Sequence, residues 1–176
     1  MATAHTKTEP LCLACGICCN GVLFGDVVLQ SGDQPARMRT WGIPLAARRG
    51  KLRFPQPCAA FGGDHCGIYA GRPRYCRDFE CGLLLAVNAG QINPRVALRW
   101  LRAAQRRADR VKRLLRQLGD ADEHISLRRR FQRMARRCQS RAPQATTAAL
   151  FSRLSLAMHE LNLTLRDRFY PGTALS

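Results

Sequence analysis

Four thiols crowd into eight residues near the start of the chain, Cys12-Leu-Ala-Cys15-Gly-Ile-Cys18-Cys19, and four more follow at Cys58, Cys66, Cys76 and Cys81. Thiolates are soft ligands, and two of them separated by two residues reach one ion from a single turn if the backbone between them folds tightly. Gly16 supplies that freedom. Of nine cysteines in 176 residues only Cys138 stands apart, in the second half. The spacing points first to a sulfur-rich metal centre, with redox-active or structural disulfides and inert buried thiols as competing readings.

These readings differ in the compartment they require. The segment ahead of Cys12 has no apolar stretch of the kind that marks a secretory signal. The longest apolar run, Leu83 to Val87, is far too short to span a bilayer. A cytoplasmic chain with no transmembrane segment is expected, in which thiols stay reduced and such spacing means metal or redox chemistry more often than a disulfide framework.

The second block reads Cys66-Gly-Ile-Tyr-Ala-Gly-Arg-Pro-Arg-Tyr-Cys76-Arg-Asp-Phe-Glu-Cys81, and Pro57-Cys58-Ala-Ala-Phe61 lies between it and the first. Together with the CxxCxxCC opening, this resembles the YkgJ-type cysteine-cluster family of zinc- or iron-chelating proteins. The resemblance covers about Cys12 to Cys81 and takes in all eight cysteines plus Ile68, Tyr69, Arg72, Pro73, Arg77 and Phe79. Ala59 stands where the family usually has proline, which leaves the ligands intact. The resemblance implies a metal-chelating domain with Cys12, Cys15, Cys18, Cys19, Cys58, Cys66, Cys76 and Cys81 as ligands. A similar cluster in flagellin lysine methylases is associated with an iron–sulfur cluster. Zinc or iron, including a 4Fe-4S cluster, is therefore the expected cofactor, and all-thiolate coordination suits both. Eight ligands fill two four-sulfur sites or one polynuclear site with bridging thiolates. In an extended stretch, adjacent Cys18 and Cys19 would point oppositely and serve different sites.

Thiolates in number need compensating charge. Arg72, Arg74 and Arg77 are candidates for charge-assisted hydrogen bonds to sulfur, against plain solvation of a basic surface. Pro73 holds Arg72 out of the helical region and so fixes the turn between Cys66 and Cys76. Tyr69 and Phe79 are expected to pack around the cluster. His65 is a surface or outer-sphere histidine before it is a ligand, and the scattered His5, His124 and His159 suggest no histidine site. The chain has no glycine-rich phosphate loop, no HExxH and no nucleophile elbow. Asp120, Asp122, Glu123 and His124 read as capping and dipole partners between two helices.

The elements that position these residues divide the chain. The expected fold is mainly α: an irregular cysteine-rich metal-binding domain over 1–92, followed by a basic three-helix domain over 93–176. Val22 to Gln30 reads as a strand or extended segment, Ser31 to Trp41 as a short helix capped by Asp33, and Gly50 to Pro57 as a loop. A helix runs through Leu83 to Val87 and ends at Gly90. Asn93 and Pro94 then open a long helix with the stripe Ala97, Leu101, Ala104, Ala108, Val111, Leu115 and Leu118, ending at Gly119. Further stripes run Leu127, Phe131, Met134, Cys138 and, after a break at Pro143, Phe151, Leu154, Met158, Leu161, Leu165. Three such helices should pack antiparallel, on one another or against the cysteine half. Cys138, on an apolar face, reads as a small hydrophobe.

Residues 1–94 carry net charge +4 and residues 95–176 net +13. Arg95, Arg99, Arg102, Arg106, Arg110 and Arg113 line one side of the first long helix, and Arg128, Arg129, Arg130, Arg133, Arg136 and Arg137 crowd the second. With a pI near 10.9, these faces suit contact with a polyanion. Only three of the 29 basic residues are lysine, however, and Trp100 and Phe131 are the main aromatic residues on the two helices. A solvated basic face competes with nucleic-acid binding. The leading function is chelation of zinc or iron in a structural, carrier or sensing role. The alternatives are a metal-dependent enzyme or accessory factor related to protein methylation, and a nucleic-acid-binding protein with an architectural metal.

Overall fold

The computed structural model describes residues 9–63, 65–140 and 144–172. Its described elements, in chain order, are α1 (Glu9–Leu13), β1 (Asp26–Val28), α2 (Pro35–Thr40), β2 (Ala46–Arg48), β3 (Lys51–Pro55), a 3-10 turn (Tyr69–Gly71), α3 (Arg74–Asp78), α4 (Gly82–Asn88), α5 (Pro94–Gln117), α6 (Leu127–Ser140) and α7 (Ala145–Arg168). The protein is mainly helical.

The second half folds as its periodicity dictates. The Asn93 side chain accepts a 2.8 Å hydrogen bond from the Arg95 N–H, and Pro94 takes the first helical position, where a missing N–H loses nothing. The α5 stripe is buried from Ala97 to Leu118, joined by Leu114. Helices α5 and α7 run antiparallel, since Arg110 pairs with Glu160 at 3.0 Å while Arg168 covers the Trp100 ring at 3.9 Å. Phe131 of α6 stacks on Phe151 of α7 with ring centres 6.1 Å apart. Pro143, the break expected before α7, lies outside the described residues.

Residues on both sides of position 92 share the main core. Leu11, Ile17, Val22, Leu23, Leu83 and Leu84 bury themselves with the inward faces of α5, α6 and α7. A second, smaller core of Val27, Met38, Ile43 and Phe54 lies under the sheet. The cysteine half therefore packs on the helices through one core and on its own sheet through another.

Several local expectations for the first half need correction. The strand expected over Val22 to Gln30 is only Asp26–Val28, because Val22 and Leu23 leave the extended path to enter the helical core. The loop expected at Gly50 to Pro57 is instead the central strand of a three-stranded antiparallel sheet, with Phe54 opposite Val27 and Leu52 opposite Ala47. Its alternation buries Phe54 while Arg53 pairs with Asp26 at 2.9 Å. Asp33 does not cap α2, which begins at Pro35 behind Gln34. Its carboxylate accepts from the backbone N–H groups of Gln30 at 2.8 Å and Arg74 at 2.7 Å, pinning α3 to the turn before α2. Asp120 is more than a dipole partner: it is buried and accepts from Arg130 Nε at 3.1 Å and Arg133 Nη2 at 2.8 Å. Among the described residues no helix is long and apolar enough to cross a membrane.

Candidate metal centre

Each cysteine reaches the centre by a short, locally determined path. Cys12 lies in the last turn of α1, and the Cys15 N–H returns to its carbonyl at 3.2 Å. Gly16, at φ 64°, then turns the chain beneath the Phe61 ring, where an added Cβ would lie 2.6 Å from the ring carbon Cζ. The N–H groups of Cys19 and Asn20 both donate to the Gly16 carbonyl at 2.9 Å. Cys18 and Cys19 thus sit in a turn and not in the extended stretch that alternating side chains would require.

The later cysteines are brought back onto this turn. The Cys58 N–H donates to the Cys19 carbonyl at 2.8 Å, and Cys66 bridges to Phe61 in a small antiparallel contact. Cys76 lies in α3, and Cys81 stands immediately before α4 in extended conformation. Gly82 is held by the residues that follow α7: its N–H donates to the Phe169 carbonyl at 3.0 Å, and a Cβ there would meet the Tyr170 carbonyl oxygen at 2.9 Å.

All eight cysteines singled out by spacing line one cavity of about 100 Å³, walled by Leu83, Leu84, Leu101 and Phe169. That is below the roughly 300–1,000 Å³ of pockets that take organic ligands. No disulfide joins any of the nine cysteines. Cys138 is not part of the cavity; it packs against the main core on α6. Among the described residues, no group of three or more His, Cys, Asp or Glu side chains is arranged to hold an ion. The thiols share a cavity without being gathered into a ligand set.

The electrostatics of the thiols follow from burial and crowding. Burial raises Cys15 to about 12, and charge on Cys81 and Cys12 adds to the rise. Burial likewise lifts Cys18 well above its ordinary value, followed by the charges of Cys15, Cys81, Cys12 and Cys76. Cys76 is pushed up to about 12 by burial and by Cys58 and Cys66, with Arg72 opposing. Burial also raises Cys58 and Cys81. Cys66 moves the other way, down to about 6, because the Cys19 thiol donates to its sulfur and the charges of Arg72 and His65 favour thiolate. Cys19, the donor, is held correspondingly high. Burial and the crowding of like charges both oppose having several thiolates in the cavity at once.

The three arginines considered as compensating charges part ways. Arg72 lines the cavity, lies 3.6 Å over the Tyr69 ring and donates through Nε to the Tyr69 carbonyl at 2.9 Å. Arg74 is exposed and pairs with Asp78 at 3.2 Å, while Arg77 lines a separate cleft with Arg37 and Trp41. Tyr69 and Phe79 do line the cavity, and Phe79 meets Phe24 edge-on at 4.9 Å. His65 stands exposed at the rim.

Two polar residues at the centre escape a reading of the sequence. Gln56 lines the cavity, is 2% exposed, and its Oε1 has no hydrogen-bond partner among the described residues. Gln105 of α5 donates through Nε2 to the Cys15 carbonyl at 3.0 Å. Its place beside Ala104, at the edge of the apolar stripe, is the one hint the sequence offers. An orphaned buried oxygen and eight soft donors in one cavity fit a metal ion or cluster by the chemistry of the donor set. No protein-family model matches the chain, and neither curated proteins nor solved structures give a match.

Proposed function

We propose that this chain is a zinc- or iron-chelating protein of the YkgJ cysteine-cluster type, holding its metal through Cys12, Cys15, Cys18, Cys19, Cys58, Cys66, Cys76 and Cys81 in a structural, carrier or sensing role. One observation carries the reading: cysteines up to 69 residues apart in sequence line a single cavity, and the ninth, Cys138, does not. Bound zinc would supply a tetrahedral thiolate centre, and iron a thiolate-held cluster such as 4Fe-4S. Arg72 is the cation placed to balance the sulfurs, and Leu101, Phe169 and the Phe24–Phe79 pair keep water from them.

The small cavity volume supports metal holding over turnover of an organic substrate. Trp100, the chief aromatic residue on the basic face of α5, is covered by the Arg168 guanidinium, which removes it as a platform for base stacking. Exposed Arg99, Arg102, Arg106 and Arg113 leave the protein able to lie against a polyanion without reading its sequence.

Anaerobic purification followed by metal analysis and a visible spectrum tests the proposal. Zinc or iron should co-purify, the spectrum separating colourless zinc from an absorbing iron–sulfur cluster, and Cys15→Ser or Cys76→Ser should lower the content. Reduced, folded protein that neither retains nor takes up zinc or iron would overturn it.

A further inference from the structure

We propose that the eight cysteines divide into two separate four-thiol metal sites, Cys12, Cys15, Cys18 and Cys81 forming one and Cys19, Cys58, Cys66 and Cys76 the other. This rests on the metal-chelating reading above and adds which residues share an ion.

Packing draws the line first. Cys12, Cys15, Cys18 and Cys81 lean on the helical core, whereas Cys58 and Cys76 lean on the small core beneath the sheet. Cys19 and Cys66 join the second set by direct contact. The Cys19 thiol donates to the Cys66 sulfur, and the Cys58 N–H holds the Cys19 carbonyl at 2.8 Å.

Local backbone contacts follow the same division. The Cys15 N–H donates to the Cys12 carbonyl at 3.2 Å, whereas Cys66 bridges to Phe61, whose N–H donates to the Cys58 carbonyl at 2.9 Å. The seam falls between two adjacent residues. Cys18 and Cys19 occupy a tight turn closed onto the Gly16 carbonyl, and successive side chains in such a turn leave the backbone about 100° apart. Each sulfur therefore follows its own set of neighbours.

The two sites also differ in their surroundings. The first is anchored to α4 and α5, the second to the sheet and to the loop that carries Phe61.

Cobalt(II) titration of the full-length, reduced, metal-stripped protein tests the division, read by thiolate-to-cobalt absorption and bound metal per chain. Wild type should take two equivalents. Cys81→Ser and Cys58→Ser should each take one, Cys12→Ser/Cys81→Ser should still take one, and Cys58→Ser/Cys81→Ser should lose both. Circular dichroism identifies a variant whose helices have collapsed; Cys58→Ser/Cys76→Ser, altered only at the sheet-side site, then gives the deciding count of one. Loss of both equivalents from a folded single variant would overturn the division in favour of one bridged cluster while leaving the chelating function intact. A wild-type chain that binds no cobalt, zinc or iron would overturn both.

Discussion

Gln105 Nε2 donates to the Cys15 carbonyl across 90 residues of sequence, at 3.0 Å, and so fixes the CxxC turn to the middle of α5. The bond is partly shielded, and a net contribution of about 1 kcal/mol is expected of it. Gln105→Leu should leave helical content unchanged but speed the loss of metal to a chelator severalfold. Equal loss rates for variant and wild type would show that the turn holds its shape unaided.

The raised thiols set a pH dependence of known sign for the metal-stripped, reduced protein. Cys15 and Cys76 have an ordinary value of 9.0 and stand near 12 in the folded chain. Their contribution to stability is complete below pH 9 and is lost as pH climbs from 9 to 12. Tm should fall across that window in metal-free protein. Zinc added at neutral pH should displace protons from these thiols, read with an indicator dye in weak buffer. A flat Tm and no proton release would contradict the assignment.

Asp120 is 1% exposed and Arg130 3% exposed at the side chain, so each is the other's replacement for water. Asp120→Ala leaves Arg130 with only the backbone carbonyl of residue 120 and Glu123, 3.9 Å away, and should cost about 3–5 kcal/mol, because a buried ion pair has lost one partner. For a chain of this size that corresponds to a Tm about 6–20 °C lower. Metal content per folded molecule should not change, since neither residue lines the cavity.

Cys138→Ala should leave metal stoichiometry at the wild-type value and cost roughly 1 kcal/mol, the transfer value of one small apolar group. Metal analysis and thermal melting check the two halves of the statement. A drop in bound metal would place Cys138 in the centre.

A fragment beginning at Asn93 should keep α5 and α7 helical but expose the face of α5 that buries Leu11, Ile17, Leu83 and Leu84. It should bind a hydrophobic dye and self-associate, neither of which the whole chain should do. A monodisperse fragment that leaves the dye dark would mean that the helices close a core by themselves.

The helical half was legible because the apolar stripe of α5 repeats every three or four residues between an Asn-Pro start and a glycine stop. All eight cysteines brought to the cavity were legible too, since they are the residues whose spacing carries chemistry. What escaped was whatever depends on distant partners. β3 was hidden because prolines at 55 and 57 argue for a loop, while its pairing with β1 rests on residues 27 positions away. Asp33 looked like a helix cap because the Arg74 N–H that it meets cannot be seen from residue 33. The buried Asp120–Arg130 pair was masked by the surrounding arginines, which in composition all look alike.

The hydrogen bond from Gly82 to Phe169 also orders events in time. Synthesis runs from the N-terminus at about 5–20 residues per second, so roughly ten seconds separate the making of Cys81 from that of Phe169. Through that interval the cysteines exist without the side chain that closes their wall. A nascent chain thus passes through a stage in which all eight thiols have been made and Phe169 has not. If the proposed chelation holds, that is the interval in which an ion would reach them with one wall of the cavity still open.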